Sequence, residues 1–170
     1  MDDVNAFLAA VLPGLKAAET ALHNGDAAPR KALWSQHEPV TLFGAVATRI
    51  GPDAAAAAFD ALASRFSNCA FWEYEILSAG TSGDLAYLVG IEHTTASVGG
   101  AAPLPYELRV TTIFRREDGD WKIIHRHGDP LPGNDSTPLQ LGRLGGLREA
   151  ADDGGLREAA EDGGLREAAE

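Results

Sequence analysis

The chain has 170 residues, an apolar fraction of 45% and a net charge of −11, from 25 acidic and 14 basic residues. That length supports one domain with a real core, and the apolar fraction excludes a wholly disordered chain. The acidic balance, with no basic stripe along the sequence, argues against nucleic acid and anionic membrane surfaces as partners.

The N-terminus, MDDVNAFLAAVLPG, has no basic segment of the kind that opens a secretory signal. A lone Cys69 fits a reducing compartment. No run of about 18 apolar residues predicts a membrane span. These signs point to a cytoplasmic protein. From Val4 to His23, apolar residues recur at steps of three and four, which predicts an amphipathic helix with Pro13 as a possible kink. Asn24 and Gly25 end it, and Asp26 is a good cap for a second helix, Ala27 to Ser35. Val40 to Ala45 reads as a short strand. Gly51 and Pro52 break the chain before a third helix, Asp53 to Phe66.

Four strands follow: Phe71 to Leu77, Leu85 to Thr95, Tyr106 to Arg116 and Trp121 to His127. Turns rich in Gly, Ser and Asp join them as hairpins. Helices first and a meander after predict an α+β domain over residues 1–131. Pro130, Pro132, Gly133 and Pro138 make residues 132–144 read as a Pro/Gly linker. Residues 145–170 repeat GGLREAA with a period of nine. Nine residues turn a helix through roughly 900°, so Leu147, Leu156 and Leu165 would form no continuous stripe. This acidic tail is expected to be flexible or locally helical, with a docking segment as the alternative.

The stretch RVTTIFRREDGDWKIIHRHGDP, Arg109 to Pro130, carries a resemblance. It is similar to the last hairpin of SnoaL-like domains in the nuclear transport factor 2-like superfamily. It also resembles that hairpin in the association domain of calcium/calmodulin-dependent kinase II. Asn24-Gly25-Asp26, Trp34 and the run Glu38 to Gly44 agree with it. The resemblance implies a cystatin-like cone, a curved antiparallel sheet wrapped by three N-terminal helices around a pocket. It also implies a homodimer formed through the sheet.

Strand parity suggests which residues face the pocket. A simple register about the turn Glu117 to Asp120 pairs Thr112 with His125 and Val110 with His127, all on one face. In the preceding hairpin, Trp72, Tyr74 and Glu92 share a face that Ala86 and Gly90 leave roomy. The expected pocket therefore joins Trp34, Tyr74, Glu92 and Thr112 as ligand-binding residues with Glu38, His125 and His127 as catalytic ones. Carboxylates and imidazoles in an apolar cavity are general acid/base material. His125 and His127 on one strand could hold a metal, but no third ligand is evident, so neither metal nor cofactor is expected. No P-loop, zinc-finger spacing, dinucleotide fingerprint or nucleophile elbow is present.

Glu38-Pro39-Val40 is similar to the Asp-Pro-Val that carries the general base of ketosteroid isomerases in this superfamily. The oxyanion-hole tyrosine and aspartate of those enzymes fall near Ala18 and Thr112 here, which argues against steroid isomerisation. The expected function is a small-molecule pocket protein, with isomerase-, lyase- or hydrolase-type acid/base chemistry on an apolar carbonyl-type substrate. Its partner would be a small apolar or carboxylate-bearing molecule. The alternative is a non-catalytic ligand-binding or dimerisation module.

Overall fold

A computed structural model describes residues 2–133 and 135–144. Its first element, helix α1 (Asp2–Leu22), follows from the apolar stripe. Phe7, Val11, Leu15, Ala18 and Leu22 are all buried. Pro13 lies inside α1 without splitting it. Ala9, whose carbonyl Pro13 cannot bond, is exposed, so water can satisfy that oxygen. Gly25 ends the segment with φ +93°. Helix α2 (Ala28–Leu33) follows, then strands β1 (Thr41–Phe43) and β2 (Thr48–Ile50), then helix α3 (Pro52–Ala63). The three-residue β2 is too short to show a period in the sequence.

Four long strands complete the sheet: β3 (Phe66–Ser82), β4 (Leu85–Val98), β5 (Leu104–Glu117) and β6 (Asp120–Pro130). The order is β2-β1-β6-β5-β4-β3. The hairpins are antiparallel as expected, but β1 runs parallel to β6. The sheet is curved and unclosed. Register shifts in β3 between Ser67 and Phe71 and between Ile76 and Ser78 help to bend it. Gly90 pairs with Ile76 beside the second shift, and a Cβ there would lie 2.1 Å from the Glu75 carbonyl oxygen. Only glycine lets the backbones approach so closely. Helices α1 to α3 cover the concave face, and Phe7, Trp34, Phe59, Trp72 and Phe114 fill the core between.

The expected linker is corrected over most of its length. Residues Ser136–Arg143 form a helix, α4, packed against β5. Pro138 read as loop punctuation, yet it stands in the first turn, where a missing N–H costs little. Thr137, Gln140 and Leu144 point inward and are buried. Gln140 Nε2 donates to the carbonyls of Ala96 and Leu104, at 2.9 and 3.0 Å. The Glu107 N–H donates to Thr137 Oγ1. The repeat of residues 145–170 lies outside the described residues.

Candidate functional site

The concave face of the sheet carries polar groups that an ordinary core would exclude. Glu92 on β4 and Arg126 on β6 are 6% and 7% exposed. Arg126 Nη2 donates to Glu92 Oε2 at 2.6 Å. Two helices add a second pair. Glu19 falls on the buried side of α1, and Arg30 of α2 donates to its Oε1 from Nη1. Arg30 also lies over the Phe59 ring, 4.9 Å from its centroid. Gly128 leaves room for the other guanidinium, since a Cβ there would stand 2.7 Å from Arg126 Nη1.

His23 and Tyr106 complete the cluster. His23 Nδ1 is 2.7 Å from the Glu19 carbonyl oxygen. A carbonyl only accepts, so the proton sits on Nδ1 and Nε2 accepts the Tyr106 hydroxyl. Burial drives His23 down to about 4, with Glu92 opposing and Arg126 reinforcing, so the ring is neutral at pH 7. Burial, then the charge of Arg126, lowers Arg30 to about 9, where it stays protonated in neutral solution. Burial and the Glu92 charge push the Tyr106 hydroxyl up, so it keeps its proton.

These six side chains line one cavity of about 80 Å³. The rest of its wall is largely apolar, from Leu42, Val46, Phe59, Leu62 and Phe66. Leu141 and Leu144 of α4 also line it, which is the structural consequence of that helix. A water needs roughly 10–15 Å³ by a comparable measure, so several waters or one small organic molecule could be housed.

The expected site residues scatter. Glu92 lies at the centre of the cluster. Tyr74 faces the same interior and donates to the Val110 carbonyl at 3.3 Å, outside the cavity wall. Thr112 is buried opposite Leu88 and Arg126 but does not line the cavity. Trp34 is core: its ring stands 5.0 Å from Phe59, behind the wall.

Three assignments are corrected. His125 and His127 face the opposite side of the sheet. The β5–β6 register shifts between Ile113 and Phe114, leaving Ile124 unpaired and setting Thr112 opposite Arg126. One extra residue reverses the parity of everything beyond it, so Arg126 points inward where the simple register placed the histidines. His125 instead meets Thr41 Oγ1 at 2.7 Å, and Phe43 stands edge-on to both rings. Burial, then neighbouring His127, lowers His125. Glu38 is exposed, and its Oε2 accepts the Val40 N–H at 3.0 Å, bracing the turn before β1. Among the described residues, no three His, Cys, Asp or Glu side chains gather as metal ligands.

Sequence reasoning missed Glu19, His23, Arg30, Tyr106 and Arg126. Three of them left a signal: Tyr106 shares the strand parity of Val110 and Thr112. Glu19 and His23 stand four apart beside Leu15, Ala18 and Leu22, polar side chains on the stripe that packs inward.

No helix among the described residues is long and apolar enough to cross a membrane. No curated protein matches the chain. Solved structures share its fold at low identity. A nuclear transport factor 2-like protein of unknown function from Pseudomonas putida is 18% identical, with a TM-score of 0.60, over 78% of this chain and 92% of that one. A protein of the same superfamily from Streptomyces avermitilis, provisionally named a dehydratase, is 17% identical, with a TM-score of 0.59, over 75% and 97%. A domain from Thiobacillus denitrificans, provisionally named a calcium/calmodulin-dependent kinase II association domain, is 19% identical, with a TM-score of 0.55, over 69% and 92%. The family model described as SnoaL-like domain matches residues 14–131, most of the chain. By that match the chain belongs to the SnoaL-like family, and its curved sheet has the fold of the nuclear transport factor 2-like structures.

Proposed function

We propose that this chain is a small-molecule pocket protein whose ligand sits against the Glu19–Arg30 and Glu92–Arg126 pairs. The supporting observation is that four buried charges and a His–Tyr bond line one cavity, whose remaining wall is apolar apart from Arg49. Stability alone is a poor reason for such a cluster, because desolvating each ion costs several kcal/mol and apolar packing often does better. Clustered perturbed groups in a cavity are the usual mark of a binding or reaction site.

Acid/base catalysis on a carbonyl-type substrate is the second reading, and His23 favours it. A neutral imidazole accepting from Tyr106 can take or relay a proton at neutral pH. The ion-paired carboxylates are better placed to hold a ligand than to remove its protons.

A thermal-shift screen of small organic compounds tests both readings. Compounds that raise the melting temperature of the unaltered chain should lose that effect in Val46→Trp, which fills the cavity. Equal shifts in both proteins would sink the pocket reading. Turnover of a bound compound that vanishes in Tyr106→Phe while binding persists would establish catalysis.

The outer face of the sheet is proposed to pair with a second copy of the chain. Two rows cross it, Tyr87–Ile113–His125–Thr41 and Val89–Thr111–His127–Phe43. Tyr87 and Phe43 are exposed there. Light scattering should find a dimer that Tyr87→Glu with Ile113→Glu converts to a monomer; a monomeric unaltered chain would contradict the pairing.

A further inference from the structure

Three arginines stand on the cavity wall, and only two have a carboxylate to answer them. Arg30 pairs with Glu19, and Arg126 pairs with Glu92. The third is Arg49 of β2. The remaining ion pairs of lysine and arginine engage Lys31, Arg109 and Arg115, so no carboxylate among the described residues pairs with Arg49. Its Nη1 donates to the Thr48 carbonyl at 2.8 Å, a neutral acceptor that leaves the charge unmatched. His23 and Tyr106 are uncharged at neutral pH, so the wall carries three positive charges against two negative ones.

The strand register aims Arg49 at the interior. Leu42 of β1 stands opposite Arg49 on one side and opposite Arg126 on the other. Residues directly opposite on neighbouring strands share a face of the sheet. Leu42 and Arg126 are buried on the concave face, so Arg49 continues their row, while Thr48 and Ile50 are exposed. Strand β2 is the edge of the sheet and Arg49 is half-buried, which puts it at the solvent end of that row.

That position decides what kind of ligand group it suits. A carboxylate at a half-buried arginine costs less desolvation than one placed between the two buried pairs. The planar guanidinium fork meets a carboxylate with two parallel charge-assisted hydrogen bonds. One added negative charge also brings the wall to balance. Leu42, Val46, Phe59, Leu62 and Phe66 offer apolar contact to the rest of the molecule.

We propose that Arg49 anchors the carboxylate of a compact apolar carboxylic acid whose body occupies the cavity. This rests on the reading of the cavity as a ligand site. It assigns Arg49 a binding role, and of the apolar and carboxylate-bearing molecules that the sequence left open it selects the second.

Two probes of nearly equal shape test it in the full chain: phenylacetate, ionised at pH 7, and phenylacetamide, which exchanges the charged oxygen for a neutral amide nitrogen. Titration calorimetry at pH 7 should find phenylacetate tighter by about tenfold or more, the range of hydrogen bonds to a charged group. Arg49→Gln removes the charge and keeps a polar side chain, and should bring the two probes to similar affinity. Val46→Trp, which fills the cavity, should abolish binding of both. Equal affinity in the unaltered chain, or tighter phenylacetamide, would overturn the carboxylate class, whether or not a variant folds. A phenylacetate preference that survives Arg49→Gln would overturn the anchor, and phenylacetate binding that survives Val46→Trp would place it outside the cavity and overturn the proposal. If neither probe binds while other small molecules show the Val46→Trp effect, the carboxylate proposal fails and the pocket stands. If nothing binds the cavity at all, the pocket reading fails with it.

Discussion

Replacing Arg126 with methionine is expected to lower the unfolding free energy by about 3–5 kcal/mol, the usual cost of removing one partner of a buried ion pair. The substitution keeps much of the side-chain length. What it takes away is the guanidinium that meets Glu92 at 2.6 Å, where both residues are at least nine-tenths buried. Glu92 then has to keep an uncompensated charge in the interior or take up a proton. Replacing both partners, Glu92→Leu with Arg126→Met, should recover much of the loss, because no charge is left stranded. Urea unfolding of the three proteins measures this. A single-variant loss below about 1 kcal/mol, the range of exposed pairs, would mean that the pair is not desolvated as described.

The second large effect is a dependence of stability on pH carried by His23. Its ordinary value is 6.5, and burial lowers it to about 4 in the folded chain. Between those values the unfolded chain binds a proton that the folded chain does not, so stability rises with pH. The contribution is fully present above about pH 6.5 and is lost as pH falls to about 4. At 1.36 kcal/mol per unit, the shift is worth up to about 3 kcal/mol. His23→Gln should flatten this part of the profile while keeping a polar group near Tyr106. Unfolding curves from pH 7.5 down to pH 4 decide the matter. A variant with an unchanged slope would place the sensitivity elsewhere.

These two effects concern residues that the linear sequence shows poorly, and the reasons are specific. Arg126 lies between two histidines that a regular strand would send inward. A bulge needs only one surplus residue, and Ile124 is as good a strand residue as its neighbours, so nothing local announces it. Tyr106 shares the strand parity of Val110 and Thr112, so its inward face was legible, but its meeting with His23 was not. Arg30 sits in a helix of six residues, too short for a period to show its buried side. It becomes interior only because Glu19, on a different helix, stands beside it. Helix α4 was hidden by Pro138 and Gly133, whose turn chemistry outweighed the inward spacing of Thr137, Gln140 and Leu144.

Other features were legible because they rest on local periodicity. The stripe of α1, the glycine stop at Gly25 and the hairpin turns follow from helix and strand repeats that any neighbourhood would respect. The inward face of β4 could also be read: Ala86, Gly90 and Glu92 alternate along it without interruption. By itself, then, the sequence determined the α+β architecture and its hairpins, because each depends on residues a few positions apart. The tertiary structure alone decided the polar interior. Glu19, Arg30, Tyr106 and Arg126 come from four elements and His23 from the turn after α1, and their meeting depends on a register shift and a helix crossing that no short window contains.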